Sequence, residues 1–174
     1  MTTVSIIFSS LLFLVALACV LYRLEAAPCS AFLGLLIISM ARVPEGYPLL
    51  PIGNGLILGW LFMAVLVTVV TLCQPAPLRH VRRGMWYYLG GALTGLALGL
   101  LGFTFLPSSG ARYVFMIVAV AATTFFGGLA YANTSEGKNV GPRSGNFFKY
   151  LLAKGFPTAI TLMQLGTVLV ILNL

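Results

Sequence analysis

The residues best suited to chemistry lie in one polar stretch, RHVRRGMWYY (79–88). Arg79, Arg82 and Arg83 could bind phosphate oxygens, because a guanidinium group presents a fork of N–H donors that matches a phosphate. Trp86 follows at the start of a hydrophobic segment, where tryptophan is common at membrane–water interfaces. These four residues are candidates for lipid headgroup contact. A plain interfacial anchor is the simpler interpretation, and recognition of an anionic lipid is the functional one.

A glycine-rich stretch follows, LGGALTGLALGLLGF (89–103). It lacks the lysine of a Walker phosphate loop and the G-x-G-x-x-G spacing of a dinucleotide site. On a helix, with about 100° per residue, five glycines of this region fall on one stripe: Gly84, Gly91, Gly95, Gly99 and Gly102. Small residues let helices approach closely in lipid. The stripe therefore predicts a helix-packing face, against either another helix of the chain or a second subunit.

The remaining polar residues favour neither catalysis nor metal binding. The chain has one histidine, His80, and three acidic residues, Glu25, Glu45 and Glu136, which all fall between hydrophobic segments. Carboxylates paired for acid–base work or for a metal ion are missing. The three cysteines form no CxxC pair, so a zinc site is not indicated. We predict no catalytic residue, no metal site and no cofactor, and an enzyme is disfavoured.

The composition excludes a water-soluble globular domain. Of the 174 residues 60% are apolar and 7% are charged, with a mean hydropathy of +1.04. A soluble domain has about 25% charged residues, and a membrane-spanning helix needs roughly 20 mostly apolar ones. Runs such as LILGWLFMAVLVTVVTL (56–72) do not alternate as the strands of a membrane barrel would. The chain is therefore predicted to be an all-α polytopic integral membrane protein.

Six hydrophobic segments form a single transmembrane domain over residues 1–174. They cover residues 4–22, 28–43, 50–72, 85–106, 113–133 and 147–172. The second is short for a full crossing, so the bundle of about six helices has an alternative with five crossings and one re-entrant segment. In the sixth segment, Pro157 predicts a kink. Gln164 is its one polar mid-span side chain, and we expect it to bond to a neighbouring helix rather than to a solute.

Basic residues predict the orientation. If the N-terminus is external, the connections after the first, third and fifth segments face the cytoplasm. Eight of the ten Lys and Arg residues then lie on the cytoplasmic side, namely Arg23, Arg79, Arg82, Arg83, Lys138, Arg143, Lys149 and Lys154. Arg42 and Arg112 remain outside. Because this excess follows the positive-inside rule, we expect a protein of the cell (inner) membrane with both termini non-cytoplasmic.

No motif names a reaction, so hypotheses about function follow from the composition of the chain and the arrangement of its hydrophobic segments. The net charge of +7 comes from residues beside the spans, so the expected partner is the lipid bilayer and not nucleic acid. The leading hypothesis is a channel-like or solute-transport unit, or the membrane subunit of a larger complex, forming a homo-oligomer or binding other membrane subunits through the glycine stripe. The alternative is a lipid-handling protein, binding or enzymatic, with a basic cytoplasmic face. A structural scaffold is the third possibility.

Overall fold

The computed structural model describes residues 2–75, 84–102, 105–140 and 145–172. Their α-helices are α1 (Thr2–Tyr22), α2 (Ala27–Met40), α3 (Asn54–Cys73), α4 (Met85–Leu101), α5 (Ser109–Ala132), α6 (Asn146–Tyr150) and α7 (Phe156–Leu172). A 3-10 turn, Lys138–Val140, precedes α6. A π-helical turn, Leu151–Gly155, joins α6 to α7. The described part of the chain is therefore helical apart from its turns and loops.

Four helical stretches are long and apolar enough to cross a membrane: Thr3–Tyr22, Asn54–Cys73, Ser109–Ala132 and Asn146–Leu172. The last of these is the continuous rod formed by α6, the π turn and α7. Helices α2 and α4 are apolar but have 14 and 17 residues. At 1.5 Å per residue they measure about 21 and 26 Å, less than the roughly 30 Å of a bilayer's hydrocarbon core.

Several segment boundaries differ from the sequence expectation: α3 begins at Asn54 instead of residue 50, and α5 begins at Ser109 instead of residue 113. The second segment was expected to reach residue 43, but α2 ends at Met40 because the chain turns back there, with Val43 donating its backbone N–H to the carbonyl of Tyr47 at 2.9 Å. The fourth was expected to reach residue 106, but α4 ends at Leu101. Helices α2 and α4 are therefore shorter than their apolar sequence runs.

Helix α7 lies at the centre of the bundle and contacts α1, α2, α3, α4 and α5. In an apolar 18-residue window of its rod 72% of the residues are buried, whereas the corresponding windows of the other three candidate spans are 22–28% buried. The surrounding helices turn large apolar side chains outward, and Leu14, Phe62 and Phe126 are each more than 60% exposed. An apolar surface of this extent is unusual for a soluble monomer and is typical of a chain that meets lipid or a partner.

Two antiparallel hairpins flank α7. In the first, Ser9 of α1 donates its hydroxyl to the carbonyl of Gly34 in α2 at 2.8 Å. Helix α3 joins this hairpin through Thr68, whose hydroxyl donates to the carbonyl of Glu25 at 3.2 Å and lies 3.2 Å from the Cys29 thiol. The second hairpin pairs α4 with α5.

The ends of α1, α3 and α5 and the starts of α2, α4 and α6 lie at the same end of the bundle. Tyr22 at the end of α1 lines one cleft with Trp86 at the start of α4. The ring of Tyr131, near the end of α5, lies against Gly84 and is 6.3 Å from the ring of Tyr150. We call this the basic end, because the described residues there include Arg23, Lys138 and Lys149, all of them exposed.

Candidate functional site

The predicted glycine stripe lies against α5 of the same chain. A Cβ on Gly95 would stand 2.6 Å from the Cα of Val120, and one on Gly99 would stand 2.8 Å from the Cα of Met116. Gly91, one turn before Gly95, lies against a backbone carbonyl of α5. Real Cβ atoms do not come this close to backbone, so only glycine fits these positions without a shift of the helices.

The two outer glycines of the stripe face aromatic rings of α5. Gly84 has a φ of +75°, and a Cβ there would stand 2.7 Å from the ring of Tyr131. A Cβ on Gly102 would stand 2.7 Å from the ring of Phe115. Because α5 covers the stripe within the chain, an oligomer of this protein would have to use another face.

The predicted headgroup contacts are only partly placed. Arg79, Arg82 and Arg83 lie outside the described residues. Trp86 is exposed in the first turn of α4, beside Tyr22 of α1 at the basic end. Its ring therefore stands at a helix terminus, where an interfacial tryptophan is expected to stand.

The central helix α7 carries a series of buried polar side chains, and each of Thr158, Thr161, Gln164 and Thr167 is at most 1% exposed. The three threonine hydroxyls donate to carbonyls four residues earlier along the rod, at 2.7–2.8 Å. In contrast, the Oε1 and Nε2 atoms of Gln164 are buried without a hydrogen-bond partner. The predicted bond from Gln164 to a neighbouring helix is therefore wrong for this structure.

Lys154 is a site residue whose burial the sequence reasoning missed. It lies in the π turn, is fully buried, and holds its Nζ atom 5.0 Å from the centroid of the Tyr150 ring, within range of a cation–π contact. The available signal was its position, about two turns inside the sixth apolar segment. Charges in such positions are typical of functional sites in membrane proteins.

The π turn has a local cause in the sequence. Proline has no backbone N–H, so Pro157 cannot continue the α-helical hydrogen-bond ladder. Just before it, the N–H of Phe156 donates to the carbonyl of Leu151, five residues back. The π turn thus lies directly before Pro157, and π turns are common at functional sites. The kink expected at Pro157 stays a prediction.

A lateral groove runs along the seam between α5 and the α6–α7 rod. It consists of two adjoining cavities of about 190 and 260 Å³, which share Ile160 and Met163 of α7 as their floor. Trp60 of α3 belongs to the far wall of the larger cavity, and Leu151 of the π turn lies at the basic end of the smaller one. The lining side chains are almost all apolar.

The groove is long compared with one leaflet of a bilayer. On α5 its lining extends from Tyr113 to Phe125, which is about 18 Å at 1.5 Å per residue. Half of a typical hydrocarbon core is about 15 Å. Gly59 also lines the larger cavity, and a Cβ there would meet nothing within 4 Å. The groove therefore contains space that no atom of the chain fills.

One polar pair borders the larger cavity. Trp60 is only 5% exposed, and its buried indole N–H makes no hydrogen bond, although the Tyr113 hydroxyl lies beside it. Tyr113 also lies beside Thr167 of α7. Among the described residues that line the groove, Trp60 and Tyr113 are therefore the one pair of an indole and a phenol.

These observations define the class of the molecule: an all-helical chain with four helices able to cross a membrane and two shorter apolar ones, packed into a bundle around α7. Comparisons with protein-family models, with characterised proteins and with solved structures gave no match. Across the described ranges, no three His, Cys, Asp or Glu side chains are grouped so that they could hold a metal ion. The groove, Lys154 and Gln164 are thus the features from which a function can be argued.

Proposed function

We propose that this protein is an integral membrane protein whose lateral groove binds a lipid acyl chain. The observation that carries the proposal is the groove itself, about 18 Å long by the rise of α5, apolar, and floored by the buried helix α7. The proposal further holds that six helices cross the bilayer, with the basic end in the cytoplasm and both termini outside. The apolar outer surface supports insertion in the bilayer. The distribution of Lys and Arg supports the orientation.

The physical basis of binding would be packing rather than the hydrophobic effect. Lipid tails are as apolar as leucine side chains, so burial of a chain in the groove gains little from water exclusion. An unfilled groove, however, forfeits dispersion contacts for every atom that lines it. A flexible acyl chain can follow the irregular floor around Ile160 and Met163. It therefore restores those contacts without requiring a change in the helices.

The test is to fill the groove with a side chain. Gly59→Leu places an isobutyl group in the open space of the larger cavity, so we expect the purified variant to retain less lipid after extensive detergent washing. Gly90→Leu is the matched control, because Gly90 is also an exposed helical glycine with nothing within 4 Å of a Cβ, but it lies outside the groove. Mass spectrometry of the bound lipid gives the readout.

A second readout uses the indole in the groove wall. Lipids with brominated acyl chains quench tryptophan on contact, and the part of the quenching that is lost in Trp60→Phe reports the groove. We expect Gly59→Leu to reduce that part and Gly90→Leu to leave it intact. Equal retention of lipid and equal quenching in both glycine variants would refute the proposal.

A second candidate function, a solute-transport unit, is favoured by one specific observation. Gln164 places an amide without a partner inside the central helix, and polar groups in the interior of a bundle often mark a substrate pathway. The interior around Thr161 and Thr167 is closely packed. Transport would therefore require α7 to move relative to its neighbours.

A further inference from the structure

We infer that the groove takes an anionic phospholipid of the cytoplasmic leaflet, with its headgroup at the basic end. This inference rests on the proposed function, since it assigns the headgroup chemistry and the direction of a chain already taken to lie in the groove. It adds a ligand class, a glycerophospholipid of net negative charge. It also adds a direction for the acyl chain, which runs from the π turn towards Trp60.

Charge favours the basic end. The groove begins there at Leu151, two residues after Lys149, which is exposed on α6. Lys138 is exposed on the 3-10 turn of the preceding connection. Lysines at the cytoplasmic surface attract anionic headgroups. A phosphate at this end of the bundle would thus have its acyl chains at the level of Leu151, where the smaller cavity begins.

The opposite end offers a weaker site for an anion. Arg112 precedes Tyr113 at that end of the groove, and its Nε atom donates to the carbonyl of Leu106 at 2.7 Å. Part of this guanidinium group is therefore already engaged by the backbone. Arg42, in the α2–α3 connection, lines a separate cavity with Ser39.

The length of the groove leads to a specific geometry. A chain that enters at Leu151 and follows the floor to Met163 covers 12 residues of the rod, about 18 Å. It would pass the bilayer midplane, because half of the hydrocarbon core is about 15 Å. The methyl end of the chain, rather than its glycerol end, would then lie nearest Trp60.

The experiment measures Trp60-dependent quenching of the purified full-length protein by brominated phosphatidylglycerol and brominated phosphatidylcholine in mixed micelles. We expect the anionic lipid to be preferred and Lys149→Gln to lower that preference about five-fold, the effect of roughly one lysine at an anionic surface. Arg42→Gln is the matched control, since it removes one exposed charge at the other end, and should leave the preference unchanged. Bromine near the methyl end should quench more strongly than bromine near the ester.

The outcomes separate this inference from the proposed groove. If both lipids quench equally while Gly59→Leu still reduces quenching, the groove stands and the assignment of an anionic ligand is overturned. If Arg112→Gln, and not Lys149→Gln, removes the preference, or if bromine near the ester quenches best, the chain enters from the outer leaflet and the direction is overturned. If Gly59→Leu changes neither lipid, the proposed function itself fails.

Discussion

Gly91 of α4 and Gly127 of α5 bring two helix backbones into direct contact. A Cβ on Gly127 would stand 3.5 Å from the Cα of Gly91 and 3.1 Å from the carbonyl carbon of Tyr87. Within a membrane, helices associate largely through such close packing. The α4–α5 hairpin therefore depends on glycines from both helices.

The first prediction compares two neighbouring glycines. Gly91→Ala should lower the free energy of unfolding by about 1–3 kcal/mol, the usual cost of overpacking, because its methyl group would collide with the carbonyl of Thr123. Gly90→Ala, with open space around its Cβ, should be neutral or stabilising by up to about 1 kcal/mol through helix propensity. Thermal unfolding in mild detergent measures both. Equal stability of the two variants would contradict the packing seen between α4 and α5.

A second prediction separates backbone strain from steric collision. Gly46 and Gly84 both have left-handed backbones, with φ of +90° and +75°. A Cβ on Gly46 meets nothing within 4 Å, whereas one on Gly84 stands 2.7 Å from the Tyr131 ring. Gly46→Ala should therefore cost only about 1–2 kcal/mol for the left-handed conformation.

Gly84→Ala should lower the free energy of unfolding by more than Gly46→Ala does, because the variant must adopt the left-handed conformation and also displace Tyr131. The double variant with Tyr131→Ala removes the ring and should bring the cost of Gly84→Ala down to that of Gly46→Ala. The same unfolding assay measures these variants. If Gly84→Ala lowered the free energy of unfolding equally with and without Tyr131→Ala, the collision with the Tyr131 ring would be contradicted.

The third prediction concerns the orientation in the membrane. Glu45 and Glu136 are exposed at opposite ends of the bundle. In a cysteine-free background made by Cys19→Ala, Cys29→Ala and Cys73→Ala, a membrane-impermeant maleimide should label Glu45→Cys in intact cells. It should label Glu136→Cys only after the cells are permeabilised. The reverse pattern would invert the topology, and labelling of both variants in intact cells would argue against an odd number of crossings between the two positions.

The sequence was sufficient to predict the helices because apolar runs in a chain this poor in charge have few other structures open to them. It was also sufficient for the spacing of Gly91, Gly95 and Gly99, which is a local property of one helix. The partner of these glycines could not be predicted, since α5 or a second subunit would satisfy the same pattern. Only the fold shows that Met116 and Val120 occupy that face.

The candidate site was less predictable because it depends on relations between helices. The groove is a space left between α5 and the α6–α7 rod, and no residue pattern marks such a space. Lys154 is near the end of an apolar segment, where a lysine usually extends to the interface. Its burial follows instead from the π turn and from Tyr150, which covers it.

The last prediction concerns Gln164, whose amide is buried in α7 without a partner. An unsatisfied buried polar group costs about 1–3 kcal/mol, so Gln164→Leu, which is similar in size, should raise the free energy of unfolding by about that amount. Thr167→Val is the matched control, because it removes a hydroxyl that donates to the carbonyl of Met163 at 2.8 Å. That variant should be neutral or slightly destabilising.

A buried amide that lowers stability calls for an explanation other than stability. If the solute-transport candidate is correct, Gln164→Leu should abolish flux in proteoliposomes while it stabilises the fold, and Thr167→Val should keep both near the wild-type values. If Gln164→Leu instead destabilises the protein, the amide has a partner in the membrane, such as an enclosed water molecule. Gln164 would then no longer indicate a substrate pathway along α7.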